Sequence, residues 1–308
     1  MKDLVNVVGL NDLLAESGAT SADVDFEQVY GELAKSPQKA DVAEAIEQRV
    51  RAYFSSLKLP DQVTIYDRLL LSLRSKDLVA TFNWDPLLVQ AYRRNVTVRE
   101  LPRIVFLHGN VGIGVCIRDR KKGYIGTRCE GCNQPLSATR LLYPVAEKDY
   151  SNDPFIESEW SELKRVLEHA YFITIYGYRA PKTDVAARGI MQQVWETNPT
   201  RVLAQIEIFD ISPEAEVREN WREFLDDLHY GVSSAFDVSW LMQHPRRSCE
   251  TLAAATLRND PWPDRPLPRL DSLPGLHEWV RPLVEEEIEH RTNDSAFKVP
   301  PKPQGRGM

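Results

Sequence analysis

Polar side chains stand directly after two apolar runs of this sequence. Asn83 and Asp85 follow LVATF, and His108 follows RIVFL. An amide offers both a hydrogen-bond donor and an acceptor, so Asn83 could hold a substrate hydroxyl or a water molecule. Asp85 could orient such a network, and the imidazole of His108, which titrates near neutral pH, could accept a proton. These residues could therefore carry chemistry, or they could only start the turn and the helix that follow the apolar runs.

The elements that would position these residues alternate between strand and helix. Short apolar runs predict strands at 78–82, 103–107, 171–176 and 205–211. Amphipathic or capped segments predict helices at 42–57, 66–73, 86–94, 157–170, 184–195, 213–228 and 276–292. This order predicts an α/β fold with a mainly parallel sheet and helices on both faces.

Two regions interrupt the alternation. Residues 110–150 hold three of the four cysteines, and residues 259–274 are rich in proline. We therefore expect four parts: a helical N-terminal part (1–74), a core (75–230) with a cysteine-containing insertion (110–150), a helical and proline-rich C-terminal extension (231–292) and a disordered tail (293–308).

The ends of the predicted strands collect most of the unusual polar residues. Ligands of open parallel sheets bind beyond the carboxyl ends of the strands, so these residues predict a crevice there. A plainer interpretation exists for each. Asp85 and Asp184 could cap the helices that follow them, and His108 before Gly109 could be a turn residue.

Composition narrows the classes of function. The chain of 308 residues has a formal net charge of -7 and no broad basic character, which disfavours a nucleic-acid-binding protein. No run approaches the ~18 consecutive apolar residues of a spanning helix, and the N-terminus lacks the apolar core of a signal peptide. We expect a cytoplasmic protein without a membrane partner.

Several short segments resemble the sirtuin-like (silent information regulator) superfamily. TFNWD (81–85) resembles its T-x-N-x-D segment, and FLHG (106–109) resembles its strand-end His-Gly. IYGYRAPKTD (175–184) resembles a later glycine-turn segment, and Asp25-Phe26-Glu27 resembles a D-F-E segment. The resemblance spans about residues 23–212.

This resemblance implies a Rossmann-like domain that binds NAD and cleaves the bond between nicotinamide and ribose. Asn83 would hold the ribose or an attacking water, Asp85 would orient that network, and His108 would be the general base. The residues expected to contact the nucleotide are Thr81, Phe82, Gly109, Gly177, Tyr178, Asp184 and Asp210.

The sequence departs from the family at its start. Sirtuin-like domains open with a strand and a G-A-G-x-S turn that approaches the phosphates, and no such turn precedes Asp25. Either the chain starts further upstream than residue 1 or the domain has lost its first strand.

Three functions remain open. The first is an NAD glycohydrolase of the bacterial defence type. The second is a non-catalytic nucleotide-binding or scaffold module. The third is an NAD-dependent protein-lysine deacylase, disfavoured because LLYPVAEKDY replaces the expected Phe-Gly-Glu pattern. NAD or a related nucleotide is the expected partner in each case, and a homo-oligomer or a separate activator protein stays open.

The cysteines predict a metal site or its remnant. Cys116, Cys129 and Cys132 lie where sirtuins carry a zinc ribbon, and tetrahedral zinc needs a fourth ligand. We expect Cys249 or a nearby histidine to supply it. The alternative is a degenerate ribbon whose thiols are only partly buried.

The segment HPRRSCE adds two arginines near Cys249. Arg246 and Arg247 could hold a pyrophosphate, because the guanidinium fork binds phosphate through two hydrogen bonds. They could equally form ordinary ion pairs at a helix start.

Overall fold

A computed structural model describes residues 2–16, 26–143, 150–180, 184–225, 229–257 and 265–294. Asp25, most of the predicted disordered tail and part of the proline-rich segment lie outside the described residues. Within these ranges, no helix has the length and apolar character needed to cross a membrane.

Two parallel sheets and one small antiparallel sheet make up the strands. The strands are β1 (Leu78–Thr81), β2 (Arg103–Phe106), β3 (Ile113–Cys116), β4 (Lys121–Tyr124), β5 (Ser137–Ala138), β6 (Phe172–Tyr176), β7 (Gln205–Phe209) and β8 (Tyr230–Ser233). In the first sheet β1 pairs with β2, and in the second the order is β6-β7-β8, all parallel. The third sheet, with the order β4-β3-β5, is antiparallel and lies in the cysteine-containing insertion.

Helices precede, connect and follow these strands. They are α1 (Lys2–Val8), α2 (Asn11–Glu16), α3 (Phe26–Lys35), α4 (Ala40–Ser56), α5 (Ile65–Ser72), α6 (Leu87–Asn95), α7 (Pro154–Leu167), α8 (Val185–Thr197), α9 (Glu214–Trp221), α10 (Trp240–Gln243), α11 (Ser248–Leu257) and α12 (Leu273–Asp294). The predicted α/β class, with parallel strands, a cysteine-containing insertion and a helical C-terminal region, is confirmed.

Successive residues of β1 and β2 pack on opposite sides of their sheet. Val79 and Ile104 contact the cluster that α5 and α6 form through Leu70 and Leu88. On the other side, Leu78 and Val105 contact the cluster around Trp160 of α7. Because side chains alternate across a strand, a strand covered by helices on both sides is apolar throughout. The prediction of helices on both faces therefore holds for this sheet.

Local sequence explains where several of these helices begin. At α7, the carboxylate of Asp153 accepts hydrogen bonds from the backbone amides of Phe155 and Ile156, and Pro154 occupies the first turn. At α5, Thr64 and Asp67 bond to each other's backbone in a capping box. Both helix starts come from short-range chemistry that the sequence displays.

The structure differs from the sequence prediction in three places. The parallel strands form two sheets rather than one, and β8 was not predicted. The helix predicted at 213–228 ends at Trp221, because the chain turns there to enter β8 beside β7. The tetrapeptide YGVS of β8 contains a glycine and too few β-branched residues to be recognised as a strand.

The parallel strands also differ in how deeply they are buried. All five residues of β7 are buried, as expected for a strand with a neighbour on each side. No residue of β1 or β6 is buried, although both strands are largely apolar, and Ala80 in β1 is exposed. Each of these two strands has a partner along one edge only within the part of the chain that the structure describes.

Candidate functional site

The segment after β1 holds Asn83 at the surface between two anchored neighbours. The backbone amide of Asn83 donates to Oγ1 of Thr81 at 3.1 Å, and the Asn83 side chain is exposed. The next residue, Trp84, is buried against Phe54 and Tyr143. The packing of Trp84 therefore fixes the backbone that presents the Asn83 amide.

A buried asparagine that the sequence analysis missed fixes the same loop. The Asn110 side chain, which is 0% exposed, donates through Nδ2 to the backbone oxygens of Asn83 at 3.2 Å and Asp85 at 2.6 Å. Its Oδ1 accepts from the amide of Gly112 at 2.8 Å. Asn110 thus ties the end of β2 to the end of β1, and only its place just after His108-Gly109 could have marked it in the sequence.

Asp85 lies two residues before the first residue of helix α6, Leu87. Its Oδ1 accepts a hydrogen bond from the backbone amide of Leu87 at 3.0 Å. Burial raises the pKa of the Asp85 carboxyl, and the backbone bonds oppose this rise. The helix-start interpretation is therefore correct, and a direct contact with substrate stays a prediction.

His108 belongs to a buried chain of polar groups behind the strand ends. Its Nε2 lies 3.2 Å from the hydroxyl of Tyr150, which donates to Oδ1 of Asp184 at 3.4 Å. The hydroxyl of Tyr178 donates to the other oxygen of Asp184 at 2.9 Å. Burial raises the pKa of Tyr150 and of Tyr178, so both phenols stay protonated and donate to the carboxylate.

These hydrogen-bonded groups clarify the role of Asp184 and add Tyr150, which was not predicted, to the site. Asp184 is the N-cap residue of α8, as predicted, and its backbone oxygen accepts from the amide of Arg188 at 3.1 Å. Its carboxylate makes no capping bond and instead accepts from the two tyrosines. Tyr150 was not predicted, because nothing in the sequence around it distinguishes it from a core tyrosine.

Phe82 connects the ends of the two parallel sheets. Its ring stacks on Tyr178, which follows β6, with 4.3 Å between centroids and 18° between planes. It also meets the His108 ring edge-on at 4.8 Å. Since Phe82 follows β1, the carboxyl ends of β1 and β6 lie together, as the predicted crevice requires.

The two glycines predicted to contact the nucleotide, Gly109 and Gly177, have different surroundings. Gly109 has a φ of +78°, and a Cβ there would come 1.9 Å from the backbone oxygen of Arg140, so its own chain requires glycine. Gly177 has a φ of +65°, but a Cβ there would meet nothing within 4 Å. Only Gly177 therefore leaves open space beside its backbone.

Asp210 shapes the loop that follows β7. Its Oδ1 accepts from the amide of Ser212 at 2.7 Å and lies 3.5 Å from Nε of Arg179. The Arg179 side chain is about half exposed, and it is the residue next to Tyr178. Asp210 thus holds a cation near the strand ends.

One large cavity opens at these strand ends, with a volume of about 850 Å³. Five predicted nucleotide-contacting or catalytic residues line it, namely Thr81, Phe82, Asn83, Gly177 and Tyr178. His108 and Asp184 stand behind that wall and reach it through Phe82 and Tyr178. The structure therefore brings Asn83 and the glycine turn together at one mouth, with the histidine network adjoining it.

The two arginines of HPRRSCE form ion pairs. The guanidinium of Arg246, 1% exposed, donates to both oxygens of Glu287 at 2.7 and 2.8 Å and to the backbone oxygen of Leu73 at 2.6 Å. Arg247 pairs with Glu286. Both arginines border the cavity, but the ion-pair interpretation accounts for their side chains.

The three predicted cysteine ligands converge with an aspartate. One ligand atom from each of Cys116, Asp119, Cys129 and Cys132 lies within 4.8 Å of the others. The Sγ atoms of Cys116 and Cys132 are 3.5 Å apart, and Sγ of Cys129 lies 3.2 Å from Oδ2 of Asp119. Tetrahedral zinc with Zn–S bonds of 2.3 Å would separate its sulfur ligands by about 3.8 Å, so the four groups fit such an ion.

The expectation for the fourth ligand was wrong. Cys249 lies in α11 on the wall of the large cavity and is not in this group. Asp119 is instead the fourth residue near the three cysteines, because the turn between β3 and β4 returns it to Cys116, whose sulfur accepts from the Asp119 amide at 3.4 Å. Gly131 leaves room for it, since a Cβ there would meet Oδ2 of Asp119 at 2.6 Å.

No family model matches the sequence, and no curated protein matches it significantly. Solved structures that it is similar to include sirtuins. A structure of Sir2 with an inhibitor, 2'-O-acetyl-ADP-ribose and a deacetylated peptide is 14% identical, with a TM-score of 0.36, covering 72% of this chain and 96% of that one.

Two further matches come from the same family. A complex of a Sir2 homolog with NAD is 13% identical with a TM-score of 0.35, covering 92% of this chain and 95% of that one. A mutant Sir2 homologue with ADP-ribose is 14% identical with a TM-score of 0.30, covering 69% and 89%. This is the family that the sequence motifs resemble. Similarity at these TM-scores assigns no role to any residue of this chain.

Proposed function

We propose that this protein binds NAD at the mouth of the large cavity and hydrolyses the bond between nicotinamide and ribose. One observation carries the proposal: the exposed amide of Asn83 stands at that mouth, beside the stacked rings of Phe82 and Tyr178. The T-x-N-x-D and His-Gly segments that resemble sirtuin motifs lie at this same place. The coincidence of motif and cavity supports a nucleotide site.

The chemistry of the bond matches the groups available. The nicotinamide–ribose bond breaks through an oxocarbenium-like state, so a catalyst must fix the ribose and a water molecule before charge develops. The Asn83 amide, with a donor and an acceptor, can hold both. Its exposure makes it the first of the predicted catalytic residues to meet substrate.

The buried network supports His108 as the proton acceptor. Nε2 of His108 lies 3.2 Å from the hydroxyl of Tyr150, which in turn donates to Asp184. This contact holds the imidazole ring in one orientation, as a general base requires.

The same test also distinguishes two other functions, which are nucleotide binding without catalysis and protein deacylation. Across the mouth from Asn83, the described residues offer no glycine-rich phosphate turn, which favours binding without catalysis. Deacylation would need an acylated peptide in addition to NAD. Each outcome has its own product, so one set of reactions separates all three.

The test follows nicotinamide release from NAD by chromatography, with NAD binding measured by calorimetry. We expect Asn83→Ala and His108→Ala each to lower the rate at least about 100-fold. Asn220→Ala in α9 and His229→Ala before β8 are matched controls away from the cavity, and we expect them to stay within about twofold.

Each contrary result has a distinct meaning. Binding without release would replace catalysis with a nucleotide-binding role, and release only with an acetylated peptide would indicate a deacylase. Release that both site variants retain would overturn the residue assignment.

We also propose that Cys116, Asp119, Cys129 and Cys132 hold a structural zinc ion. Backbone amides of Asp119 and Gly131 point at the sulfurs of Cys116 and Cys129, each at 3.4 Å. Amides in this position stabilise thiolates, the form that binds zinc. The ion would close the loop after β4 onto the turn between β3 and β4.

A further inference from the structure

Helix α5 places a half-buried tyrosine, Tyr66, beside the loop that carries Asn83. The ring of Tyr66 packs in an apolar cluster that also contains Val79 of β1 and Leu88 of α6. These two residues flank the loop between β1 and α6, in which Asn83 lies. Tyr66 and Asn83 also line the same cavity. The fold therefore brings a tyrosine to the amide that the sequence predicts to be catalytic.

The first turn of α5 holds the backbone of Tyr66 in place. The next residue, Asp67, is 0% exposed. Its carboxylate accepts from Nε of Arg94, from Nδ2 of Asn95 and from the backbone amide of Thr64, each at 2.7 Å. These bonds join the start of α5 to the last turn of α6. The position of the Tyr66 hydroxyl is thus set by a buried ion pair and leaves only the side-chain torsions to vary.

The hydroxyl of Tyr66 interacts with the side chain of Asn83. Burial raises the pKa of this hydroxyl to about 12, with further contributions from Asp85 and Tyr176, and a hydrogen bond with the Asn83 side chain opposes the rise. A hydrogen bond lowers the pKa of a phenol when the partner donates to its oxygen, because donation favours the charged form. The Asn83 amide nitrogen is therefore the donor, and the phenol stays protonated at neutral pH.

This contact supplies what the backbone bonds of the loop do not. Thr81 and Asn110 bond to the backbone of Asn83, and these bonds leave its side-chain torsions free. Among the described residues, Tyr66 is the partner that the structure gives the Asn83 side chain. With Nδ2 directed to the phenol, Oδ1 on the other branch of the amide is left to accept from a hydroxyl or a water molecule.

We propose that Tyr66 is a positioning residue, whose hydroxyl fixes the Asn83 amide so that Oδ1 accepts from the attacking water or from a ribose hydroxyl. This role rests on the proposed function, in which Asn83 is the catalytic amide. A group that is held in place before charge develops lowers the barrier, because it does not have to be ordered during the reaction. Tyr66 acts through Asn83, so loss of its hydroxyl should slow the reaction and preserve NAD binding.

The first test compares two tyrosine-to-phenylalanine variants of the full chain in the nicotinamide-release assay. Tyr66→Phe removes the hydroxyl and keeps the ring in its apolar cluster. Tyr92→Phe in α6 is the matched control, because Tyr92 packs on the same cluster and is not among the described residues that line the cavity. We expect Tyr66→Phe to lower kcat about tenfold, with KM and the calorimetric Kd for NAD within about twofold of the native values. Tyr92→Phe should change none of them.

A shift of the effect from rate to affinity would contradict the proposal. If Tyr66→Phe raised KM and Kd for NAD and left kcat unchanged, Tyr66 would be a nucleotide contact and not a positioning residue.

A double-mutant cycle shows whether Tyr66 acts through Asn83. Asn83→Ala removes the group that Tyr66 positions, so adding Tyr66→Phe to this variant should lower the residual rate by no more than about twofold. A tenfold loss in both backgrounds would mean that Tyr66 acts independently of Asn83, and it would overturn the proposal.

NMR of the free protein tests the contact without any reaction. The side-chain amide signal of Asn83 is identified as the one that Asn83→Ala removes. Because the chemical shift of an amide depends on its hydrogen bonds, we expect Tyr66→Phe to move this signal towards the values of a solvent-exposed amide. Tyr92→Phe should leave it in place.

The NMR result also separates failure of this proposal from failure of the proposed function. An unmoved Asn83 signal in Tyr66→Phe would overturn the positioning role, even if the native protein cleaves NAD. A moved signal in a protein that releases no nicotinamide would reject the proposed function, and with it the catalytic consequence of the contact.

Discussion

The cysteine-containing insertion and the parallel sheets assemble their candidate site residues in different ways. The insertion brings together four side chains that could bind a metal, from a hairpin and the loop after it, and their ligand atoms lie within 4.8 Å of one another. The parallel sheets gather Asn83, Gly177 and their neighbours from strands far apart in sequence, and among the described residues two strand edges have no partner. A site built from near neighbours is complete by itself, whereas one built from distant strands depends on every strand being present.

The largest expected effect is a loss of zinc binding that is confined to the insertion. Cys129→Ala removes a buried ligand, and we expect at least a 100-fold loss of zinc affinity, measured by metal analysis of the purified protein against a competing chelator. Amide protection should fall in β3 and persist in β7. Cys249→Ala is the control and should retain zinc, because Cys249 is outside the ligand group. A native protein that binds no zinc would contradict the site.

The second prediction weakens the distant contacts that support the sheets. Arg246 joins the end of α5, the loop before β2 and helix α12 through Leu73, Glu100 and Glu287. We expect Arg246→Met to lower the free energy of unfolding by about 3–5 kcal/mol in denaturant titrations, because buried Glu287 would lose two short hydrogen bonds and keep only the contact with Arg74 at 3.5 Å.

Two further variants show whether the ion pair explains that loss. Converting Glu287 to Met as well should restore part of the stability. Arg222→Met, which breaks an exposed pair with Glu219, should change it by less than about 1 kcal/mol. If Arg222→Met lost as much stability as Arg246→Met, burial of the ion pair would not explain the loss of stability.

The smallest effect concerns Glu207 in the fully buried strand β7. Burial raises the pKa of this carboxyl, while bonds from Ser239 and Thr174 oppose the rise. The folded state therefore holds this proton more tightly than the unfolded state, and stability falls as pH rises above the usual glutamate pKa. We expect the native protein to lose about 1 kcal/mol relative to Glu207→Gln between about pH 4 and pH 7.

The measurement is urea unfolding of both proteins across that range. Glu219→Gln, an exposed position, is the control and should show no such difference. An opposite slope for Glu207→Gln would mean that the hydrogen bonds outweigh burial.

Local signals in the sequence predicted the elements well. The four predicted strands match β1, β2, β6 and β7 to within two residues at each end, because each is a short apolar run bounded by polar or turn residues. The helix start at Asp85 was also predictable, since its cap involves residues two positions apart. The division of the chain into four parts stays a prediction.

Contacts between distant residues were not predictable from one sequence. Asp119 carries no sign that it faces three cysteines, because that depends on how the hairpin of the insertion folds back. Tyr150 and Asn110 become visible only when the strand ends meet. The separation of the parallel strands into two sheets was not predicted either, because it depends on which strands pair and not on the sequence of any one strand.

The free edges of β1 and β6 also govern how the protein behaves at high concentration. Exposed backbone rows on apolar strands are templates for pairing with other molecules, including further copies of the same chain. Neither edge carries the proline or inward charge that usually blocks such pairing, since β1 reads LVAT and β6 reads FITIY. Among the described residues, these two edges are therefore where we expect self-association of the purified protein to begin at high concentration.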